Sequence, residues 1–214
     1  MNIKSMLKTA KEPNAWDFAN SVLYKLCSDN PKHISNDIIL AKIWLIGRSY
    51  AAAIERRKKS EDDINDDFYI QKVVPRLKDK NLDLKIQKCI TQKNDNNVLE
   101  LHKYLTDIFL ELTNLNKRSL ASKYLHFHIP DLFYIYDSRV VSAIGELNKE
   151  LKLDNFTTNI SQINDESYSI FYLKCKRVVE KIKIEYGTEL SCRQLDNLLI
   201  QIANVKLREK NTSF

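Results

Sequence analysis

The stretch that decides the fold of this chain is residues 119–144, SLASKYLHFHIPDLFYIYDSRVVSAI. It predicts a short helix that is stopped at Pro130, because proline lacks the amide that a helix interior needs. An apolar run follows, and Asp137 then begins the next helix. Lys123 and Asp137 therefore lie on two successive helices. A lysine and a carboxylate held in this way on a basic protein suggest chemistry on an anionic polymer.

Asp137 also has a purely structural interpretation. Ser138 and Arg139 follow it, and aspartate is a preferred N-cap because its carboxylate accepts the free N–H groups of the first helical turn. The residues alone leave both interpretations open.

Composition limits the class of protein. A chain of 214 residues is long enough for one sizeable core or for two small lobes that share a cleft. A hydrophobic fraction of 43% is globular, and only 3 glycines and 4 prolines favour long helices with few tight turns. No apolar run reaches the roughly 18 residues that span a bilayer, and the N-terminal segment lacks a signal-peptide core. We therefore expect a soluble, cytoplasmic protein without membrane contact.

Cysteine spacing argues against a metal site. The four cysteines are widely dispersed and form no CxxC pair: Cys27, Cys89, Cys175 and Cys192. A zinc site or an iron–sulfur cluster needs clustered thiolates. We expect reduced core thiols, no metal and no other cofactor.

The net charge of +6 comes from basic residues that cluster. The clusters are Arg56–Lys59, the pair Lys117 and Arg118, and a group between Lys174 and Lys183. Such clusters favour a polyanionic partner, although a solvated lysine-rich surface has the same appearance.

Helical periodicity runs through almost the whole chain. Trp16, Val22 and Leu23 mark a first helix, and Ser35 or Asn36 begins a second whose apolar stripe extends to Ile54. Gly47 in that stripe predicts close approach of a neighbouring helix. Further helices are predicted over the ranges 82–90, 98–114, Ser119–His128, from Asp137, Tyr168–Tyr186 and Ser191–Leu207, with an irregular segment at 151–164. The fold class is all-α, in one domain over residues 1–214.

Residues 121–144, ASKYLHFHIPDLFYIYDSRVVSAI, resemble the catalytic stretch of the helix-hairpin-helix DNA glycosylase superfamily, particularly its bacterial 8-oxoguanine-glycosylase-like members. The resemblance implies two helical lobes around a central cleft, with a catalytic segment at about residues 115–147. It places Asp137 at the catalytic aspartate and Lys123 at the nucleophile of bifunctional members. The glycine-rich hairpin of the family, LPGxGxxTA, is replaced by the glycine-free NLNKRSLASK at 114–123. Phosphate would then be bound through Lys117, Arg118 or the N-terminus of the next helix.

The implied activity is excision of a damaged or modified base by cleavage of its N-glycosidic bond, in base-excision repair or in defence against phage DNA. The partner would be duplex DNA, bound by a monomer. A flipped base needs stacking and hydrogen-bonding groups, and the candidates are Trp44, Tyr50, Tyr124, His126 and Tyr136. The candidate DNA contacts are Arg56, Arg57, Lys58, Lys117, Arg118 and Arg139. Water could attack the sugar, or Lys123 could form an imine with it. Two departures from the family favour attack by water over attack by Lys123. The hairpin glycines are missing, and Lys123 and Asp137 are closer together in the sequence than is usual for the family.

A second hypothesis is a non-catalytic helical DNA-binding module in which Asp137 only caps a helix. A helical ribonuclease of the HEPN type is a third, but its motif fails because seven residues separate Arg118 from His126. Arg48 and Glu55, seven positions apart, are predicted to form an ion pair, either internal or lining a pocket.

Overall fold

The computed structural model describes residues 2–56, 65–153 and 164–211, and every regular element in those ranges is helical. The helices are α1 (Ile3–Lys11), α2 (Ala15–Asp29), α3 (Asn36–Ser49), α4 (Asn65–Asp67), a π-helical turn (Phe68–Val73), α5 (Val74–Leu77), α6 (Lys80–Thr91), α7 (Asp95–Thr113), α8 (Arg118–His128), α9 (Ser138–Glu150), α10 (Glu166–Tyr186) and α11 (Cys192–Asn211). The predicted all-α class is confirmed. Most of the segment predicted to be irregular, residues 154–163, lies outside the described ranges.

The helix boundaries around residues 114–144 follow the local sequence closely. α7 ends at Thr113, and its C-cap Asn114 has a left-handed φ of 55° and donates its N–H to the Leu110 carbonyl at 2.8 Å. Asparagine tolerates this conformation better than most residues. α8 then ends at His128, two residues before Pro130, and Asp137 is the N-cap of α9. The predicted helices on either side of Pro130 are therefore confirmed.

The N-terminal helices differ from the prediction. α1 was not predicted; the Asn2 side chain accepts a hydrogen bond from the Ser5 amide at 3.1 Å and caps it. α2 has the predicted position but a different buried face. Trp16 and Val22 are 57% and 64% exposed, whereas the polar Asn20 is buried. Periodicity places apolar residues on a stripe but cannot tell which side of that stripe packs against α8.

Gly47 allows a close approach, but not the one that was predicted. A Cβ at this position would lie 3.0 Å from the Cα of Ala53, in the chain segment that follows α3 itself. α3 ends at Ser49, Ala51 has a left-handed φ of 51°, and the Ala52 amide donates to the Gly47 carbonyl at 2.7 Å. The predicted continuation of the helix to Ile54 is therefore wrong, because the chain folds back over Gly47.

α8 is the central helix of the core. Every residue from Leu120 to Phe127 is buried, and α8 packs against α2, α3 and α7. α11 packs along α9 and also contacts α1. All four cysteines are free and buried, which confirms the prediction of reduced core thiols. None of the described helices combines the length and the apolar character that crossing a membrane requires.

Candidate active site

The fold brings the two residues singled out in the sequence together. The Lys123 side chain is only 3% exposed, and its Nζ lies 4.0 Å from Oδ2 of Asp137. The same amine donates to Oγ of Ser119 at 2.9 Å and approaches the Tyr50 carbonyl at 3.5 Å. Ser119 lies one turn before Lys123 on α8, so the helix itself supplies a hydroxyl that holds the amine in place.

Asp137 uses its two carboxylate oxygens differently. Oδ1 accepts the amides of Arg139 at 2.9 Å and Val140 at 3.1 Å, which makes Asp137 the N-cap of α9. Oδ2 faces the Lys123 amine. The cap interpretation is therefore confirmed, and it leaves one oxygen for chemistry. The catalytic role stays a prediction.

Burial controls the charge of Lys123. Removal from water lowers the pKa of the Lys123 amine, and the carboxylates of Asp137 and Asp196 oppose this by favouring the ammonium form. Because the net pKa is lowered, the neutral amine is more populated at a given pH than in an exposed lysine. Only the neutral form of a lysine can act as a nucleophile.

Lys123 and Asp137 line a cavity of about 540 Å³, a size typical of small-molecule sites. Its walls come from four segments: residues 50–53 with Arg56, residues 115–117, residues 136–138, and Ser119, Leu120 and Lys123 of α8. The fold-back over Gly47 supplies the first wall. Tyr136 in the third wall is oriented by its amide, which donates to Ser122 Oγ at 3.0 Å, and by edge contact of its ring with Phe171 at 5.2 Å.

Of the predicted base-pocket residues, Tyr50 and Tyr136 line the cavity. The structure does not bring the other three to it. Trp44 is 41% exposed elsewhere on α3, with the Arg48 guanidinium 4.6 Å from its ring centre. Arg48 also forms the predicted ion pair with Glu55, at 2.6 Å.

Tyr124 and His126 are fully buried within the core. The Tyr124 hydroxyl is bonded to His33 Nε2 at 2.7 Å. His126 is bonded to the Tyr24 hydroxyl at 2.6 Å and to the Phe133 carbonyl at 2.8 Å. These partners hold both side chains in the interior, away from the cavity.

The predicted DNA contacts divide in the same way. Arg56 and Lys117 line the cavity, and Lys117 Nζ donates to the Arg56 carbonyl. Arg118 instead forms an ion pair at 3.0 Å with Asp165, whose carboxylate is buried, and the Arg118 side chain is only partly exposed. Arg139 donates to Oδ1 of Asn204 on α11 at 2.6 Å. Arg57 and Lys58 lie outside the described residues.

Sequence reasoning missed Asp196 on α11. This carboxylate is 6% exposed, and burial raises its pKa to about 6. Its charge interacts with those of Lys123 and Asp137. The available signal was a single carboxylate among the apolar residues Leu195, Leu198 and Leu199, where a solvated aspartate is not expected.

Within the described ranges, no group of three or more histidine, cysteine or acidic side chains is arranged to hold a metal ion. His126 and His128 point to different neighbours, Tyr24 and Lys42, as their two-residue spacing on a helix predicts. In comparisons with known proteins, no family model, no curated protein and no solved structure matches the chain.

Proposed function

We propose that the chain is a DNA N-glycosylase of the helix-hairpin-helix type, with Asp137 and Lys123 as its catalytic pair. The observation that carries the proposal is the 4.0 Å approach of the Lys123 amine to the free Asp137 oxygen, in a cavity that also presents Arg56 and Lys117. A carboxylate, a desolvated amine and a cationic rim suit cleavage of a bond on an anionic polymer. The sequence resemblance over residues 121–144 supports the same activity.

Asp137 would stabilise the transition state of base loss. Breaking the N-glycosidic bond places positive charge on the sugar, and a fixed carboxylate beside it lowers the energy of that oxocarbenium-like state. The cap bonds to Oδ1 fix the carboxylate before the substrate arrives. Oδ2 would then face either the sugar or the water that attacks it.

Lys123 would act in one of two ways. As a nucleophile, its neutral amine bonds to the sugar C1′ while the base departs with the bonding pair, and opening of the sugar ring gives an imine. As a binding group, its ammonium would hold a phosphate or Asp137 while water attacks C1′. We expect the second, monofunctional route, because the family's hairpin glycines are absent and the Lys123–Asp137 separation is short.

The excised base would enter the cavity from the duplex. Its volume of about 540 Å³ is large enough for a nucleobase, and Tyr50 and Tyr136 offer aromatic rings at its wall. In this proposal the cavity is the cleft between two helical lobes, with α3 and its fold-back on one side and α9 with α11 on the other. The base itself, and a role in repair or in defence against phage DNA, are questions for substrate screening.

The test is an incision assay on duplex DNA that carries assorted damaged or modified bases, with and without alkali. Asp137→Asn keeps a side chain that caps helices well, so we expect it to bind DNA but to lose at least about 100-fold in excision. Asp79→Asn is the matched control, since Asp79 caps α6 through the Asn81 amide at 2.9 Å and does not line the cavity. Excision by Asp137→Asn within a few-fold of wild type contradicts the catalytic role.

The attacking group is tested by borohydride, which reduces an imine to a permanent protein–DNA crosslink. We expect no crosslink from the wild-type protein, and an abasic product that breaks only after alkali. A crosslink that disappears in Lys123→Gln would instead establish Lys123 as the nucleophile, since an amide forms no imine.

The alternative is a non-catalytic helical DNA-binding module. The observation in its favour is the Oδ1 cap, which by itself gives Asp137 a structural purpose. DNA binding without excision of any base in the screen would support this alternative over the enzyme.

A further inference from the structure

Trp16 is an exposed aromatic residue that the start of α2 holds in one place. It is 57% exposed, although it is the second residue of the helix. The Asn14 side chain accepts the Trp16 amide at 2.9 Å and the Asp17 amide at 3.3 Å. Oδ2 of Asp17 accepts the Asn14 amide at 3.0 Å, and Arg193 on α11 donates to Oδ1 at 2.6 Å. The backbone that carries Trp16 is therefore fixed by a capping box that is itself tied to α11.

Trp16 extends the aromatic wall of the candidate active site outward. Its ring centre lies 6.0 Å from that of Tyr50, with 51° between the ring planes, and Tyr50 lines the cavity. Phe127 on α8 also contacts the Tyr50 ring, edge-on at 5.6 Å. The Lys123 amine lies 5.6 Å from the same Tyr50 ring centre. Consecutive bases of a stacked strand are about 3.4 Å apart, so Trp16 lies within the length of a few nucleotides from the Lys123 amine.

Exposure alone does not single out Trp16, because isolated apolar side chains on a surface are common. Phe18 on the same helix is 70% exposed. It is two positions from Trp16, so the two side chains leave the helix in different directions. What distinguishes Trp16 is its contact with a cavity wall. The same cavity presents the cationic side chains of Arg56 and Lys117.

Aromatic rings beside cationic side chains suit one class of ligand, an unpaired nucleic acid strand. The cations contact the phosphates, and the rings stack on the bases. Such stacking accepts any base, because every base has a flat π-face. In an intact duplex each base is covered on both faces by its neighbours, whereas a base that has left the stack can use a protein ring instead. Trp16 offers the large flat ring of an indole for this purpose.

We propose that Trp16 stacks on an unpaired nucleobase of the DNA strand bound at the Lys123 cavity. A base inside the cavity lies against Tyr50, and a neighbouring base of the same strand covers the Trp16 ring. Stacking adds affinity for an unpaired strand without adding a phosphate contact. This assignment rests on the nucleic acid partner of the proposed function, but it does not require that any base is excised.

The first test uses the fluorescence of each of the two tryptophans in turn. Trp44→Phe leaves Trp16 as the one tryptophan, and the probe is a single-stranded oligothymidylate, whose bases neither pair nor stack strongly on one another. We expect the saturating probe to lower the Trp16 emission at least about two-fold, because a stacked base quenches an indole. In Trp16→Phe the remaining Trp44, whose ring lies 4.6 Å from the Arg48 guanidinium, should keep its emission.

The second test measures affinity by the fluorescence anisotropy of a labelled oligothymidylate. Trp16→Leu should bind about 10-fold more weakly, the loss of one stack between a base and an aromatic ring. The slope of log affinity against log salt should not change, because no phosphate contact is removed. Phe18→Leu is the matched control, since it removes another exposed aromatic ring from α2, and it should bind as the wild type does. Both variants should bind an intact duplex with wild-type affinity.

Three results overturn the proposal: Trp16 emission that stays constant while the anisotropy signal saturates, equal losses of affinity in Trp16→Leu and Phe18→Leu, or a wild-type protein that does not bind oligothymidylate. If Trp16→Leu does not fold, the quenching in Trp44→Phe decides alone, because Trp16 is intact in that protein. Excision is measured separately. Quenching without excision of any base keeps the role of Trp16 and removes the glycosylase, whereas excision without quenching does the reverse.

Discussion

Two buried lysines join the same pair of helices but have different surroundings. Lys42 on α3 is fully buried, and its Nζ donates to the Asn30 carbonyl and contacts Nε2 of His128 on α8 at 3.2 Å. Lys123 on α8 reaches back to the Tyr50 carbonyl, just after α3. Burial lowers the pKa of both amines. Burial alone therefore does not distinguish a reactive lysine from a structural one.

The difference lies in access and in partners. Lys42 is enclosed by a cluster in which the His128 ring stacks on Tyr124 at 4.6 Å and on His33 at 5.2 Å, and His33 is bonded to Asp83 at 2.7 Å. Lys123 instead lines a cavity and has a carboxylate oxygen 4.0 Å away. Lys42 is therefore a sealed lysine that holds the fold together, whereas Lys123 is an open lysine that a molecule in the cavity could contact. The following predictions test this contrast.

The largest expected effect is loss of stability in acid. Burial lowers the pKa of all four histidines: to about 3 for His102, to about 4 for His126, and below the ordinary value for His33 and His128. Below about pH 6.5 the unfolded chain binds protons that the folded chain refuses, so stability falls as the pH drops toward these folded-state values. One histidine with a pKa lowered by two units costs about 3 kcal/mol when the fall is complete.

Asp196 acts with the opposite sign. Its raised pKa means that the folded state takes up a proton more readily than the unfolded state between pH 6 and 3.8, which stabilises the fold as the pH falls. We expect the histidines to dominate, so urea unfolding should give a lower free energy at pH 5 than at pH 7.5. His128→Gln should flatten this dependence. A wild-type free energy of unfolding that is the same at these two pH values would show that the histidines, including His33 and His128 beside Lys42, are not buried as described.

Truncating the two lysines should separate their roles. Lys42→Ala leaves a closed void and an unpaired Asn30 carbonyl, and we expect it to destabilise the fold by about 3 kcal/mol. Lys123→Ala enlarges a cavity that water can enter, so its cost should be about 1 kcal/mol or less. Thermal or urea unfolding of both variants at pH 7.5 measures the difference. Equal losses would remove the distinction between a sealed and an open lysine.

A smaller loss of stability is expected from changes at Gly47, where the segment that forms one wall of the cavity folds back over α3. Gly47→Ala places a methyl group 3.0 Å from the Ala53 backbone, and this overpacking costs more than the roughly 1 kcal/mol that alanine gains in a helix. We expect a net loss of about 1 kcal/mol and a change in the fluorescence or NMR signals of Tyr50. Ser49→Ala, which adds no atoms at the end of the same helix, is the control. A Gly47→Ala protein as stable as wild type would mean that the fold-back is not tightly packed.

The sequence predicted the local features of the site well. Pro130, Asn114 and the Asp137 cap fix the ends of their helices by backbone chemistry within a few residues, which is why α8 and α9 have the expected bounds. It predicted the side-chain surroundings less well. Tyr124 and His126 have the chemistry of a base pocket, but their positions on α8 direct them into the core. Asp196 was missed because it lies 73 positions after Lys123 along the chain, and such a separation leaves no local pattern.

The smallest expected effect is a change in the salt dependence of DNA binding when single arginines are replaced, and it depends on the proposed DNA partner. Each phosphate contact that is lost reduces the slope of log affinity against log salt by about 0.9. Arg56→Gln, at the cavity, should therefore lower the slope by about 0.9, the equivalent of one phosphate contact. The slope is measured by fluorescence anisotropy with duplex DNA between about 50 and about 200 mM salt.

Arg118→Gln is the matched comparison, because the Arg118 guanidinium is paired with Asp165 at 3.0 Å. We expect it to destabilise the fold while leaving the slope unchanged. A change in slope with Arg118→Gln but not with Arg56→Gln would move the DNA-binding face away from the Lys123 cavity, and it would leave the open lysine without the substrate that its surroundings suggest.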